Sequence, residues 1–105
     1  MKRENRKFIV KKWKYEYENI ANINILKYFS NEEISILKKL GICINSRLYS
    51  EKEFEKINSI LLGYYKYSEN DEIVQTEELT KMGVMKEELN SILNIFNKIA
   101  LDYKI

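Results

Sequence analysis

QTEELTKMGVMKEELNSILN, residues 75–94, is the stretch whose reading decides the fold. Thr76 stands where a helix N-cap is expected, and Glu77 and Glu78 follow in the first turn, where the macrodipole favours negative charge. Gly83 ends that short helix. A second helix starts near Met85 and puts Leu89, Ile92, Leu93, Phe96, Ile99 and Ala100 on one face, over about four turns. A capped helix, a glycine stop and a longer amphipathic helix point to a mainly α protein.

Towards the N-terminus the same grammar recurs. Ser30 and Glu33 form a capping box ahead of Ile34, Leu37 and Leu40, and Gly41 stops that helix. ICINSRLY, residues 42–49, reads as a connector or a short extended piece. Ser50 and Glu53 make a second capping box, followed by Phe54, Ile57, Ile60 and Leu61 on one side of the next helix. The words also echo: ILKKLGI at 36–42 precedes EFEKINSIL at 53–61, as ELTKMGV at 78–84 precedes EELNSIL at 87–93. The gaps differ in length, so convergence between amphipathic helices explains the echo more simply than two similar helix pairs.

Two stretches admit two readings each. GYYKYSENDEIVQ, residues 63–75, fits two short strands, Tyr64–Tyr67 and Glu72–Gln75, joined by the polar turn Ser68–Asp71. It equally fits a helix running on to Tyr67 and a new one from Asn70. Residues 7–29 carry a helical stripe of Ile9, Trp13, Tyr17 and Ile20, but Trp13, Tyr15 and Tyr17 also alternate as in a strand. The reading adopted is a helix from about Tyr17 to Phe29, with 7–16 left open. The expected fold is therefore mainly α, four to five helices in helix-turn-helix pairs, with or without a β-hairpin wing at 64–75. The expected domains are a basic arm, 1–16, and one helical domain, 17–105.

Charge is distributed unevenly. Lys2, Arg3, Arg6, Lys7, Lys11, Lys12 and Lys14 face only Glu4, so the first fourteen residues are net +6, while residues 15–105 hold 11 basic and 15 acidic side chains, net −4. Phe8, Ile9, Val10 and Trp13 interleave the basic residues. Such a segment is drawn to polyanions. Lys, Asn and Ile supply 41 of 105 residues and Pro is absent, a codon bias that inflates Lys and Asn whatever the function. The position of the charge is thus more informative than its amount.

The same composition excludes much chemistry. Without histidine there is no Ser-His-Asp or Cys-His unit, and Cys43 alone makes neither an intrachain disulfide nor a structural zinc site. Gly41, Gly63 and Gly83 are isolated, so no glycine-rich phosphate loop exists. The pairs Glu32-Glu33, Glu77-Glu78 and Glu87-Glu88 all fall at helix starts, which makes helix capping a simpler reading than carboxylate catalysis. No enzyme activity, metal or cofactor is expected. No run approaches the ~18 apolar residues of a membrane span, and the start lacks a signal peptide's apolar core, so a cytoplasmic location is expected.

Residues 75–94 resemble the helix-turn-helix pattern of phage repressors and bacterial regulators. That pattern places a glycine at the turn, an apolar residue after it, and two further apolar residues in the second helix; Gly83, Val84, Leu89 and Ile92 meet it. Leu79 departs from it, standing where the family has a small residue, and is expected to force the two helices apart. The resemblance implies a double-stranded DNA partner and a second helix in the major groove, with Lys86, Asn90, Asn94 and Asn97 on its outward face and Lys98 behind. Glu87 and Glu88 lie where phosphates would approach. In size, composition and layout the chain is also similar to the small winged-helix accessory proteins of Gram-positive conjugative plasmids.

The expected function is non-enzymatic DNA binding in a regulatory or plasmid-transfer role. Lys2, Arg3, Arg6, Lys7, Lys11, Lys12 and Lys14 are the principal contacts, and Lys66, Lys86 and Asn90 the second tier. The alternative is a protein-interaction module, an inhibitor or adaptor whose basic arm docks on an acidic partner. Tyr64, Tyr65 and Tyr67 either stack on bases or close a small core. A homodimer through the apolar face of the last helix, with Ile95 at its margin, is also expected.

Overall fold

The computed structural model describes residues 20–105. In order, its elements are β1 (Ala21–Ile23), a 3-10 turn (Leu26–Tyr28), α1 (Asn31–Lys39), β2 (Tyr49–Ser50), α2 (Glu51–Leu62), α3 (Glu77–Met82) and α4 (Lys86–Asp102). The described residues are thus mainly helical, with four α-helices beside a two-stranded antiparallel sheet.

Helix ends fall where local chemistry puts them. Ser30 and Ser50 each cap with the reciprocal carboxylate of Glu33 and Glu53, and Thr76 Oγ1 accepts from Leu79 N at 3.1 Å. Glu88 Oε1 accepts from Met85 N at 2.9 Å at the start of α4. Gly41 and Gly83 close α1 and α3 in the left-handed region, at φ of 80° and 75°. Both stops use one bond pattern: Ile42 N donates to Leu37 O and Gly41 N to Lys38 O, while Val84 N donates to Leu79 O and Gly83 N to Thr80 O. This satisfies carbonyls that the helix leaves orphaned and brings two buried apolar pairs together, Leu37 with Ile42 and Leu79 with Val84. The sequence echo is therefore structural at the helix stops. It fails in the second helices, where Phe54 and Leu61 are the buried residues of α2 but Leu89, Ile92, Phe96 and Ile99 those of α4.

The helix expected over Tyr17–Phe29 is corrected. Among its described residues, Ala21–Ile23 pair with Tyr49–Ser50, Ala21 opposite Ser50 and Ile23 opposite Tyr49, and a single 3-10 turn follows. The proposed helical stripe would bury Ile20, yet Ile20 is 51% exposed while Ile23 and Ile25 are at 1% and 0%. The operative pattern is the alternation Asn22, Ile23, Asn24, Ile25. β-branched Ile and Asn are both weak helix formers, and the alternation suits a pleated, half-buried surface.

After α2, Tyr64 N and Tyr65 N donate to Leu61 O and Leu62 O and finish the last turn. A short ribbon follows. Tyr67 bridges Ile73 antiparallel, Val74 N donates to Lys66 O at 2.9 Å, and Ser68 N donates to Glu72 O at 2.8 Å. The reading with a helix through Tyr67 and a new one from Asn70 is thus overturned. The hairpin reading holds only over 66–74, as a single bridge rather than two strands.

One core gathers every element. Phe96 of α4 packs between Phe29, at 5.5 Å between ring centroids, and Phe54 of α2, at 5.6 Å. Tyr28 Oη donates to Asp102 Oδ2 at 2.7 Å and Tyr103 Oη accepts from Asn24 N at 3.2 Å, which ties the start of the domain to the end of α4. Accepting that bond, Asp102 holds the Tyr28 hydroxyl up at about 12. The apolar face of α4, expected to carry a dimer contact, is covered by the domain's own core: Leu89, Ile92, Phe96 and Ile99 are buried, and Leu93, Ile95 and Tyr103 pack half-buried against them. No helix among the described residues is long and apolar enough to cross a membrane.

Candidate nucleic-acid interface

Lys2, Arg3, Arg6, Lys7, Lys11, Lys12 and Lys14 lie outside the described residues. Of the second tier, Lys66 is exposed on the ribbon, Asn90 is exposed on the second turn of α4, and Lys86 is half-buried at its first position. Lys86 and Asn90 come together in an open groove of about 420 Å³, which Glu72, Ile73 and Glu87 also line. The ribbon and the start of α4 are thus neighbours. Asn94, Asn97 and Lys98 continue the exposed side of α4. Glu72 and Glu87 put two carboxylates beside the single ammonium of Lys86, so this groove lacks the positive surface that a phosphate backbone requires.

The three tyrosines have different roles. Tyr65 Oη is buried and donates to Leu89 O at 2.6 Å, and Tyr64 Oη donates to Leu40 O at 2.8 Å. Burial pushes the Tyr65 hydroxyl well above its ordinary range. Both close the core. Tyr67 is 58% exposed and lies stacked on Tyr65, with centroids 6.2 Å apart and rings 22° from parallel.

Gln75 is the residue that sequence reasoning missed. Its Nε2 donates to Val84 O at 2.9 Å and to Thr80 Oγ1 at 3.2 Å, while its Oε1 accepts from Lys86 N at 2.6 Å. One amide thus holds α3, the Gly83 turn and the first residue of α4. An amide can donate two bonds and accept a third at once, but no period or charge pattern marks Gln75, because its partners converge only when the helices pack. Lys39 of α1 adds a bond from Nζ to Gly83 O at 3.4 Å. The bulk of Leu79 is taken into the common core, where it is wholly buried. Replacing Gln75 with Ala removes three bonds and leaves the Val84 carbonyl unpaired. Destabilisation of about 1–3 kcal/mol is expected, read as a lower denaturant midpoint at unchanged slope. Gln75→Glu is expected not to restore it, since a carboxylate cannot donate to Val84 O. Wild-type stability in either variant would remove Gln75 from this role.

The second helix pair presents a different surface. Asn45, Arg47, Tyr49, Glu53 and Lys56 line a cavity of about 320 Å³. Arg47 lies over the Tyr49 ring at 3.9 Å and pairs with Glu53 at 2.7 Å. That guanidinium, with the Ser50 N–H, holds the Glu53 carboxyl down at about 2. The cation is thereby neutralised in place. Asn58 on α2 is half-buried, and its Oδ1 has no hydrogen-bond partner among the described residues.

Comparison with protein-family models, curated proteins and solved structures gives no match for this chain.

Proposed function

We propose that the chain binds double-stranded DNA without catalysing a reaction, held mainly by Lys2, Arg3, Arg6, Lys7, Lys11, Lys12 and Lys14. The observation that carries this reading is the segregation of charge, net +6 over the first fourteen residues against net −4 over the rest. Phosphate contacts of this kind supply affinity and steering without sequence information. Arg3 or Arg6 enters a minor groove, most favourably at A/T-rich sites, where the groove is narrow and its potential most negative. In this reading α3 and α4 act as a helix-turn-helix and the 66–74 ribbon as its wing. Lys66, Lys86 and Asn90 set register more than affinity, because Glu72 and Glu87 oppose phosphate at the groove they share. The biological role is regulation or plasmid transfer.

Electrophoretic retardation of a DNA duplex tests the reading. The full chain retards it at physiological salt, and a variant with Lys2, Arg3, Arg6 and Lys7 all changed to Gln does so at least tenfold more weakly. Equal retardation by both would remove the basic segment from the interface. No retardation at all, with an acidic protein captured by the same residues, would favour the protein-interaction module instead.

A further inference from the structure

We infer that the groove between the 66–74 ribbon and the start of α4 receives the basic N-terminal segment of a second copy of this chain. The groove joins apolar and acidic surface. Ile73 forms part of its lining, and Tyr67, opposite Ile73 across the bridge, stands on the same face of the ribbon. Glu72 and Glu87 line it with Lys86, and Glu69, Asp71 and Lys66 are exposed on the same ribbon, so four carboxylates stand against two ammonium groups. The turn is held in place: Ser68 Oγ accepts from Asn70 N and Glu72 N at 3.3 Å, and Asp71 N donates to Ser68 O at 3.0 Å. The Tyr67 ring, exposed and backed by Tyr65, offers its open face to a cation.

The occupant follows from complementarity. Residues 2–14 of this chain carry seven cations interleaved with Phe8, Ile9, Val10 and Trp13, cations for the groove's carboxylates and apolar side chains for Ile73. Residues 1–19 span up to ~60 Å when extended, enough to reach a neighbouring molecule. Reciprocal docking of two such segments closes a two-fold pair. Leu89, Ile92, Phe96 and Ile99 are taken up by the domain's own core, and this groove offers association a surface apart from them. The inference stands whether or not the segment also binds DNA. If it does, duplex and groove compete for the same charges.

Sedimentation of the full chain at about 50 mM and about 500 mM salt reads the outcome. At low salt the mass rises with concentration from 12.7 kDa towards twice that value, and at high salt it stays at 12.7 kDa. Glu72→Lys with Glu87→Lys weakens association about tenfold or more, whereas Glu55→Lys, on the exposed side of α2, leaves it unchanged. Adding Lys11→Glu and Lys12→Glu to the Glu72, Glu87 variant restores association, because the pairing is re-formed with opposite signs. Circular dichroism checks that each variant keeps its helices. A monomer at every concentration in low salt, wild-type association by the Glu72, Glu87 variant, or a dimer that persists at high salt would each overturn the inference.

Discussion

Binding of duplex DNA is expected to weaken along a line of slope about −5 when log K is plotted against log salt. The figure comes from about six arm charges meeting phosphate, each releasing ~0.9 counterion. Between ~50 mM and ~200 mM salt that slope costs about a thousandfold in affinity. Deleting residues 2–12 is expected to abolish binding and leave the helical circular dichroism signal in place. The physical reason lies in the body: among the described residues the core runs from Ile23 to Ile99 and joins every element there. By contrast, Lys66→Ala with Lys86→Ala is expected to leave the slope near −5, because the arm alone accounts for about that value and Glu72 and Glu87 oppose phosphate beside Lys86. A wild-type slope shallower than about −2 would take the arm out of the interface. Collapse of the helical signal on deletion would instead make Ile9 and Trp13 part of the core.

Phe96→Ala is expected to cost about 3–5 kcal/mol, a large share of the 5–15 kcal/mol that holds a domain together. Phe96 is 1% exposed, and its ring meets Phe29 from the segment after β1 and Phe54 from α2. Removing it opens a cavity where three parts of the chain converge. Phe96→Leu, which leaves a smaller void, is expected to recover roughly half of the loss. Chemical denaturation followed by circular dichroism measures both. A loss below about 1 kcal/mol for Phe96→Ala would mean that the contact between α2 and α4 does not organise the core.

Helix starts and stops were legible in the sequence because capping is a local transaction. Ser30 with Glu33, Ser50 with Glu53 and Thr76 with Leu79 bond partners three residues apart, and Gly41 and Gly83 need only their own backbone freedom. The face of α4 was legible for the same reason: a period of 3.6 residues is written in the order of residues alone. Segregated charge is likewise a property of sequence, and the basic residues of the candidate interface follow from it.

What tertiary structure alone decided are the bonds between distant parts. Ile23-Asn24-Ile25 is too short an alternation to prevail over a helical stripe, and it becomes a strand and its continuation because Tyr49 and Ser50 offer a partner edge. Tyr64 and Tyr65 are core residues and Tyr67 is exposed because only the first two reach a carbonyl on another helix, Leu40 O and Leu89 O. Gln75 became a clamp, and Glu72 a neighbour of Glu87, only when α3 and the ribbon packed at the start of α4. The sequence by itself determined where the four described helices start and where the positive charge lies. Packing decided which surface faces that charge, since a groove is made of residues that no local spacing relates.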